Sequence, residues 1–168
     1  MNGMYVIIGG NQGKREEFLA KTCTLIEKEV GFIVQKSSVY ETAAWGNTQQ
    51  ASFLNQVLFI ETELMAMDVL VAFLQIEKDL GRVRQQKWEP RNIDIDILYF
   101  NDEIHVEKKL FIPHPEMHKR KFVLMPLQEI AAFTKHPILH LSCTELLLAC
   151  ADELKVSIVQ ALHSDMLV

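Results

Sequence analysis

The sequence predicts an α+β protein, a sheet with helices on one face, and three observations carry that prediction. Strand-like and helix-like segments alternate in the order βαββαβ, no segment repeats, and the last third of the chain turns into short helices and connections punctuated by prolines. A length of 168 residues, 49% hydrophobic and 23% charged, suits one domain spanning residues 1–168 with a sizeable core. The same composition excludes disordered, collagen-like and coiled-coil classes.

Taken in order, Tyr5-Val6-Ile7-Ile8 is a short apolar run, a buried strand stopped by Gly9-Gly10-Asn11-Gln12-Gly13, which reads as a tight loop. Phe18, Thr22, Leu25, Ile26 and Val30 recur at helical spacing, and Gly31 supplies the stop. Phe32 to Tyr40 and Leu54 to Thr62 are rich in β-branched and aromatic residues and read as strands, separated by a loop that begins Thr42-Ala43-Ala44-Trp45. Asp68 is the expected N-cap of a second helix carrying Val69, Leu70, Phe73, Ile76 and Leu80, ended by Gly81. The basic stretch Arg82 to Arg91, with its Pro90, reads as a loop. It leads into Asn92 to Phe100, where Ile93, Ile95 and Ile97 alternate with Asn92, Asp94 and Asp96 as a strand of period two, closed by an Asn101-Asp102 turn. This order, followed by α-rich sequence, predicts a ferredoxin-like βαββαβ sandwich with additional C-terminal helices.

Several function classes drop out. A net charge of -5 excludes a generally basic protein that grips nucleic acid by counterion release, so no nucleic-acid partner is expected. No apolar run is long enough for a membrane span and no charged n-region opens the chain, so no membrane partner is expected and the cytoplasm is the expected location. Cys23, Cys143 and Cys150 are odd in number and lack CxxC spacing, which points to buried reduced thiols. Gly9 to Arg15 has neither Walker A nor GxGxxG spacing, and a flexible helix entry is preferred there over phosphate contact. His114-Pro115-Glu116-Met117-His118 lacks HExxH order and is broken by its proline, so zinc is not expected. His114 alone remains a candidate hydrogen-bond partner of a nucleotide.

The most informative feature is Asp94-Ile95-Asp96, because period two points both carboxylates to one face while the isoleucines enter the core. Hard oxygen donors of this kind suit Mg²⁺, with the remaining positions left to water and phosphate oxygens. The same pattern is also that of an amphipathic edge strand with a wet face. The neighbourhood favours the metal: residues 82–121 hold nine of the 17 basic residues against seven acids, a cationic segment inside an acidic chain. Cations next to a carboxylate pair describe a polyphosphate site. Trp45 and Trp88 sit in polar loops, where a large ring suits stacking on a flat heteroaromatic ligand.

Gly9-Gly10-Asn11, Tyr40-Glu41-Thr42, Phe53-Leu54-Asn55, Gly81-Arg82-Val83-Arg84, Lys87-Trp88-Glu89-Pro90-Arg91-Asn92-Ile93-Asp94-Ile95-Asp96, Ile112-Pro113-His114-Pro115 and Arg120-Lys121-Phe122 occur together in this order. In that combination the chain resembles the 6-hydroxymethyl-7,8-dihydropterin pyrophosphokinase family of folate biosynthesis. The resemblance implies transfer of a pyrophosphoryl group from ATP to the pterin hydroxymethyl oxygen with release of AMP. By the same resemblance, Asp94 and Asp96 hold two Mg²⁺ ions and Arg82 and Arg91 are catalytic. Glu77, Arg84, Lys87, Ile97, Lys109, His114 and Arg120 are implied for ATP, and Thr42, Ala43, Ala44, Trp45, Phe53, Asn55, Trp88 and Phe122 for the pterin. The loops Thr42–Gln50 and Arg82–Arg91 are implied as lids, and a monomer is expected.

Against the family's frequent residues, Glu89 stands for a small residue, Ala43-Ala44 for two prolines, Leu74 for Gln, Phe53 for Tyr, Gly10 for Ser, and Lys87 and Lys109 for Arg. The alternatives from other classes are a non-catalytic ferredoxin-like ligand-binding module and another DxD nucleotidyl or glycosyl transferase.

Overall fold

A computed structural model of the protein describes residues 1–44, 49–82 and 92–159. In chain order the elements are β1 (Asn2–Gly10), α1 (Arg15–Glu29), β2 (Phe32–Lys36), β3 (Tyr40–Thr42), β4 (Phe53–Thr62), α2 (Ala66–Asp79), β5 (Asp94–Phe100), β6 (His105–Val106), β7 (Phe111–Ile112), a 3-10 turn (Met117–Lys119), α3 (Lys121–Ala131), α4 (Cys143–Ala149) and β8 (Val156–Ile158). Six strands form one sheet in the order β5-β1-β4-β3-β8, with β2 also paired to β4, and every pairing is antiparallel. The protein is thus α+β, as its element order predicts.

The helices lie on both faces of the sheet rather than on one. Met4, Val6 and Ile8 of β1 point with Leu58, Ile60, Ile95 and Ile97 into a core closed by Leu19 and Ile26 of α1 and Val69, Phe73 and Ile76 of α2. Ile7, Val57, Leu98 and Tyr99 point the other way, against Val123, Leu124 and Leu127 of α3 and Cys143 and Leu146 of α4. The reason is in Tyr5-Val6-Ile7-Ile8 itself, since an unbroken apolar run in a strand leaves apolar side chains on both faces and both need cover.

Local boundaries differ in instructive ways. Gly9 and Gly10 continue β1 instead of forming a loop, and the turn comes at Gly13, with φ at +66°. Gly31 ends α1 by close approach, because a Cβ there would stand 2.2 Å from the Glu61 carbonyl oxygen. The segment Phe32 to Tyr40 divides into β2 and β3, with the Ser37 hydroxyl between them accepting the Val57 N–H at 2.9 Å. Helix α2 starts at Ala66 with Met65 at its cap position, so Asp68 lies in the first turn, where its carboxylate faces the positive end of the helix dipole.

In β5 the pairing shifts between Tyr5 and Val6, leaving Leu98 opposite no residue of β1. That bulge sends Leu98 and Tyr99 into one core and returns Phe100 to the other. Among the described residues no helix is long and apolar enough to cross a membrane, and Cys23, Cys143 and Cys150 are free thiols, the first two buried.

Candidate active-site cleft

The register of the sheet builds the site. Gly9 on β1 is the Cα partner of Asn55 on β4 and of Asp94 on β5, so the three form one row across three strands. Two residues along, Ile7 pairs with Val57 and with Asp96. Period two then puts Asn55, Asp94 and Asp96 on the same face. This is the face that α3 and α4 cover, and the uncovered part of it is the floor of a cleft of about 390 Å³. Thr42, Ala43 and Phe53 line one side of the cleft, and His114, Glu116, Lys119, Arg120, Phe122 and Val123 line the other.

Gly9 makes the row possible. A Cβ at this position would lie 2.0 Å from Asn55 Oδ1 and 2.8 Å from the Leu54 carbonyl oxygen, so the Asn55 amide occupies space that any larger residue would take. Thr42 is buried, and its hydroxyl has no hydrogen-bond partner among the described residues. A buried hydroxyl left in that state at the cleft wall is available to a polar ligand.

The charged groups are organised around Arg82. Its Nη1 lies 2.5 Å from Asp94 Oδ1 and 2.7 Å from Glu77 Oε1. Burial works against the guanidinium charge, but Asp94, Glu77 and Asp96 outweigh it and raise its pKa, so Arg82 is a permanent cation. Glu77 is itself buried, and its Oε1 also accepts the Ile95 N–H at 2.9 Å, fastening α2 to β5.

His114 titrates below its ordinary value because of burial first and the charge of Arg120 second, with Asp94 and Glu116 pulling the other way. Its Nδ1 accepts the Glu116 N–H at 3.2 Å, so the neutral ring carries its proton on Nε2 and is a donor there. Among the described residues no group of three or more His, Cys, Asp or Glu is arranged for a metal ion. What the cleft floor offers instead is two carboxylates two residues apart on one face of β5, hard oxygen donors of the kind Mg²⁺ takes when water and phosphate oxygens fill its other positions.

Of the residues the sequence singles out, Thr42, Ala43, Phe53, Asn55, Asp94, Asp96, His114, Arg120 and Phe122 are brought together around the cleft. Arg82 and Glu77 stand behind Asp94. Ala44 is buried outside the lining. Ile97 belongs to the core on the opposite face of β5, and Lys109 is exposed near the β6–β7 turn. Trp45, Arg84, Lys87, Trp88, Glu89 and Arg91 lie outside the described residues. Gln50, at the end of an implied lid, and Lys119, in the cationic segment, also line the cleft, whereas sequence reasoning gave no site role to Ile7, Gly9, Leu98, Glu116 and Val123, which line it too. For Gly9 a signal existed, a glycine in register with the outward-facing side of an apolar strand.

The family model described as 7,8-dihydro-6-hydroxymethylpterin-pyrophosphokinase matches residues 5–132. The 2-amino-4-hydroxy-6-hydroxymethyldihydropteridine pyrophosphokinase of Bacillus subtilis (strain 168) is 43% identical over 130 residues, 77% of this chain and 78% of its own. Its counterpart in Aquifex aeolicus (strain VF5) is 41% identical over 138 residues, 82% of this chain and 86% of its own. The crystal structure of Plasmodium falciparum HPPK-DHPS, wild type, with pterin and p-hydroxybenzoate superposes with a TM-score of 0.71 at 18% identity, over 88% of this chain and 42% of that one. At that identity the likeness is one of fold, and the chain spans less than half the length of the solved protein.

Proposed function

The chain belongs to the 7,8-dihydro-6-hydroxymethylpterin-pyrophosphokinase family, and we propose that it transfers pyrophosphate from ATP to 6-hydroxymethyl-7,8-dihydropterin, a step of folate biosynthesis. The single observation that carries this reading is the row Asn55–Gly9–Asp94, with Asp96 beside it, which sets an amide and a carboxylate pair on the floor of one cleft. The carboxylates suit a cation and a polyphosphate, and the amide, the Thr42 hydroxyl and the rings of Phe53 and Phe122 suit a flat polar heterocycle.

In the proposed reaction the pterin hydroxymethyl oxygen attacks the β-phosphorus of ATP in line. The bond from the β-phosphorus to the α,β-bridging oxygen breaks, AMP leaves with that oxygen, and the hydroxyl proton passes to water. Asp94 and Asp96 would hold Mg²⁺, two ions by resemblance, which when bound supplies charge neutralisation on the phosphate oxygens. Arg82, held charged by Asp94, Glu77 and Asp96 against the cost of its burial, keeps a cation beside Asp94, and Arg120 adds a second at the cleft wall. His114 presents an Nε2–H donor to a nucleotide oxygen. Arg91 is assigned to catalysis, Arg84, Lys87, Lys109 and Glu77 to the ATP side, and Ala44, Trp45 and Trp88 to the pterin side by resemblance, while the side chain of Ile97, buried on the opposite face of β5, is given no ligand contact. Such a site works by positioning and fixed charge and needs no strong general base.

The sheet order β5-β1-β4 with β2 and β3 beyond, and helices α1 and α2 crossing over one face, supports a ferredoxin-like sandwich extended by α3 and α4. A single domain, cytoplasmic location and monomeric state belong to the same reading. The test mixes the chain with Mg-ATP and the hydroxymethyl dihydropterin and resolves the products. Equimolar AMP and pterin diphosphate are expected, abolished by a chelator of divalent cations. ADP, an adenylated or glycosylated product, or no turnover overturns the assignment.

A further inference from the structure

The family model matches no residue after 132, yet the C-terminal segment beyond it touches both walls of the cleft. Asp152 accepts the Lys121 backbone N–H at 3.0 Å through Oδ2 and the Leu154 N–H at 3.0 Å through Oδ1. Lys121 is the first residue of α3, and the residue before it, Arg120, offers no side-chain cap. Asp152 thus supplies a carboxylate acceptor to a helix start that lacks a local one.

A few residues on, β8 pairs with β3 through Thr42 with Val156, Glu41 with Ser157 and Tyr40 with Ile158, and the Val159 N–H adds a bond of 2.8 Å to the Val39 carbonyl. Arg120 and Phe122, which flank Lys121, line one wall of the cleft, while Thr42 and the adjacent Ala43 line the other. At the far end of α3 the same two walls are joined once more, since Glu129 accepts the Ser38 N–H at 2.8 Å and the Tyr40 hydroxyl at 2.7 Å. Residues 152–158 therefore form the tie at the cleft end of a frame already closed at the other.

We propose that Asp152 is a positioning residue for the pterin, and that the strap from Asp152 to Ile158 sets the separation of Thr42 from Phe122. This rests on the reading that the cleft takes the pterin. Releasing the strap loosens the slot for the flat ring and leaves the carboxylate pair on β5 in place. Loss of binding energy without loss of the chemical step appears as a raised KM at constant kcat.

The experiment compares the full chain with its Asp152→Ala and Asp152→Asn variants. Asp152→Ala is expected to raise the pterin KM about fivefold while kcat and the ATP KM stay within about twofold, and Asp152→Asn, which keeps a carbonyl acceptor for Lys121, recovers most of that rise. A pterin KM unchanged in Asp152→Ala, or equal rises for both substrates, overturns the proposal whatever happens to Tm. Where Asp152→Ala does not fold, amide hydrogen exchange of the wild-type chain decides. Saturating pterin is expected to slow exchange at Lys121 and across Val156 to Ile158, and unchanged exchange at those amides overturns the strap. A wild-type chain that neither binds nor turns over the pterin instead overturns the assigned reaction, and the strap falls with it.

Discussion

Alternate residues of β5 meet opposite environments. Ile95 and Ile97, with Ile93 just before the strand, are buried against α1 and α2, and the face they share is sealed. Asp94 and Asp96, one residue out of phase, look onto a face where α3 and α4 cover Leu98 and Tyr99 but stop short of the carboxylates. The sealed face draws its stability from apolar area and close packing. The open face leaves charge where a ligand can meet it, and Arg82, itself paired with Glu77, offsets part of that charge from behind. One strand thus divides stability and chemistry between its two sides, and substitutions on each side should separate the two.

The largest separation is expected from Asp94→Ala with Asp96→Ala, which should lower turnover roughly a thousandfold, since charge stabilisation is the main contribution of such a site. Circular dichroism melting should show a fold retained, because both side chains are only partly buried. A double variant that keeps its turnover would erase the division. The converse is Ile95→Ala, expected to cost about 3 kcal/mol in urea unfolding through lost burial and the cavity left behind, with turnover of the folded fraction within a few-fold of wild type.

Gly9→Ala probes the boundary between the two sides. Its methyl group collides with Asn55 Oδ1 and the Leu54 carbonyl, so about 1–3 kcal/mol of stability should be lost together with pterin affinity, measured by calorimetry. The smallest effect is one of pH. His114 and His136 both titrate below the ordinary 6.5, chiefly through burial, so the unfolded chain takes up protons first. Their contribution is complete above 6.5 and is lost as pH falls through the lower folded values. His105 opposes this, because its hydrogen bond to Glu103 raises its pKa, and its contribution is lost as pH rises. Urea midpoints should therefore decline from pH 7.5 to 5.5, and His105→Gln should steepen the decline.

How far the sequence foretold this arrangement depends on the range of the interaction. The alternation of Ile93 to Ile97 identified β5, its inward face and the shared face of the two aspartates, because strand periodicity is a local property. Gly81 announced the end of α2 and adopts φ of +88° there. The bulge at Leu98 and the division of Phe32 to Tyr40 arise from pairing with distant strands, which no local pattern encodes. Gly9 is the clearest case, since its purpose is visible only once Asn55, 46 positions later, stands beside it. Of β8, the sequence offered only Val156-Ser157-Ile158, too short to announce a strand without its partner.

The link between Glu77 and β5 has a consequence for how copies of the chain treat one another. In the sheet order β5 is terminal, and a terminal strand with free N–H and C=O groups is a template on which another molecule can add a strand. Here the Ile95 N–H is taken by the Glu77 carboxylate and the Leu98 carbonyl by the His114 N–H. The side chain that braces Arg82 and the backbone that carries His114 also occupy this margin. Two of the edge's hydrogen-bonding groups are thus engaged within the molecule, and a substitution that freed them would add places where another strand could pair.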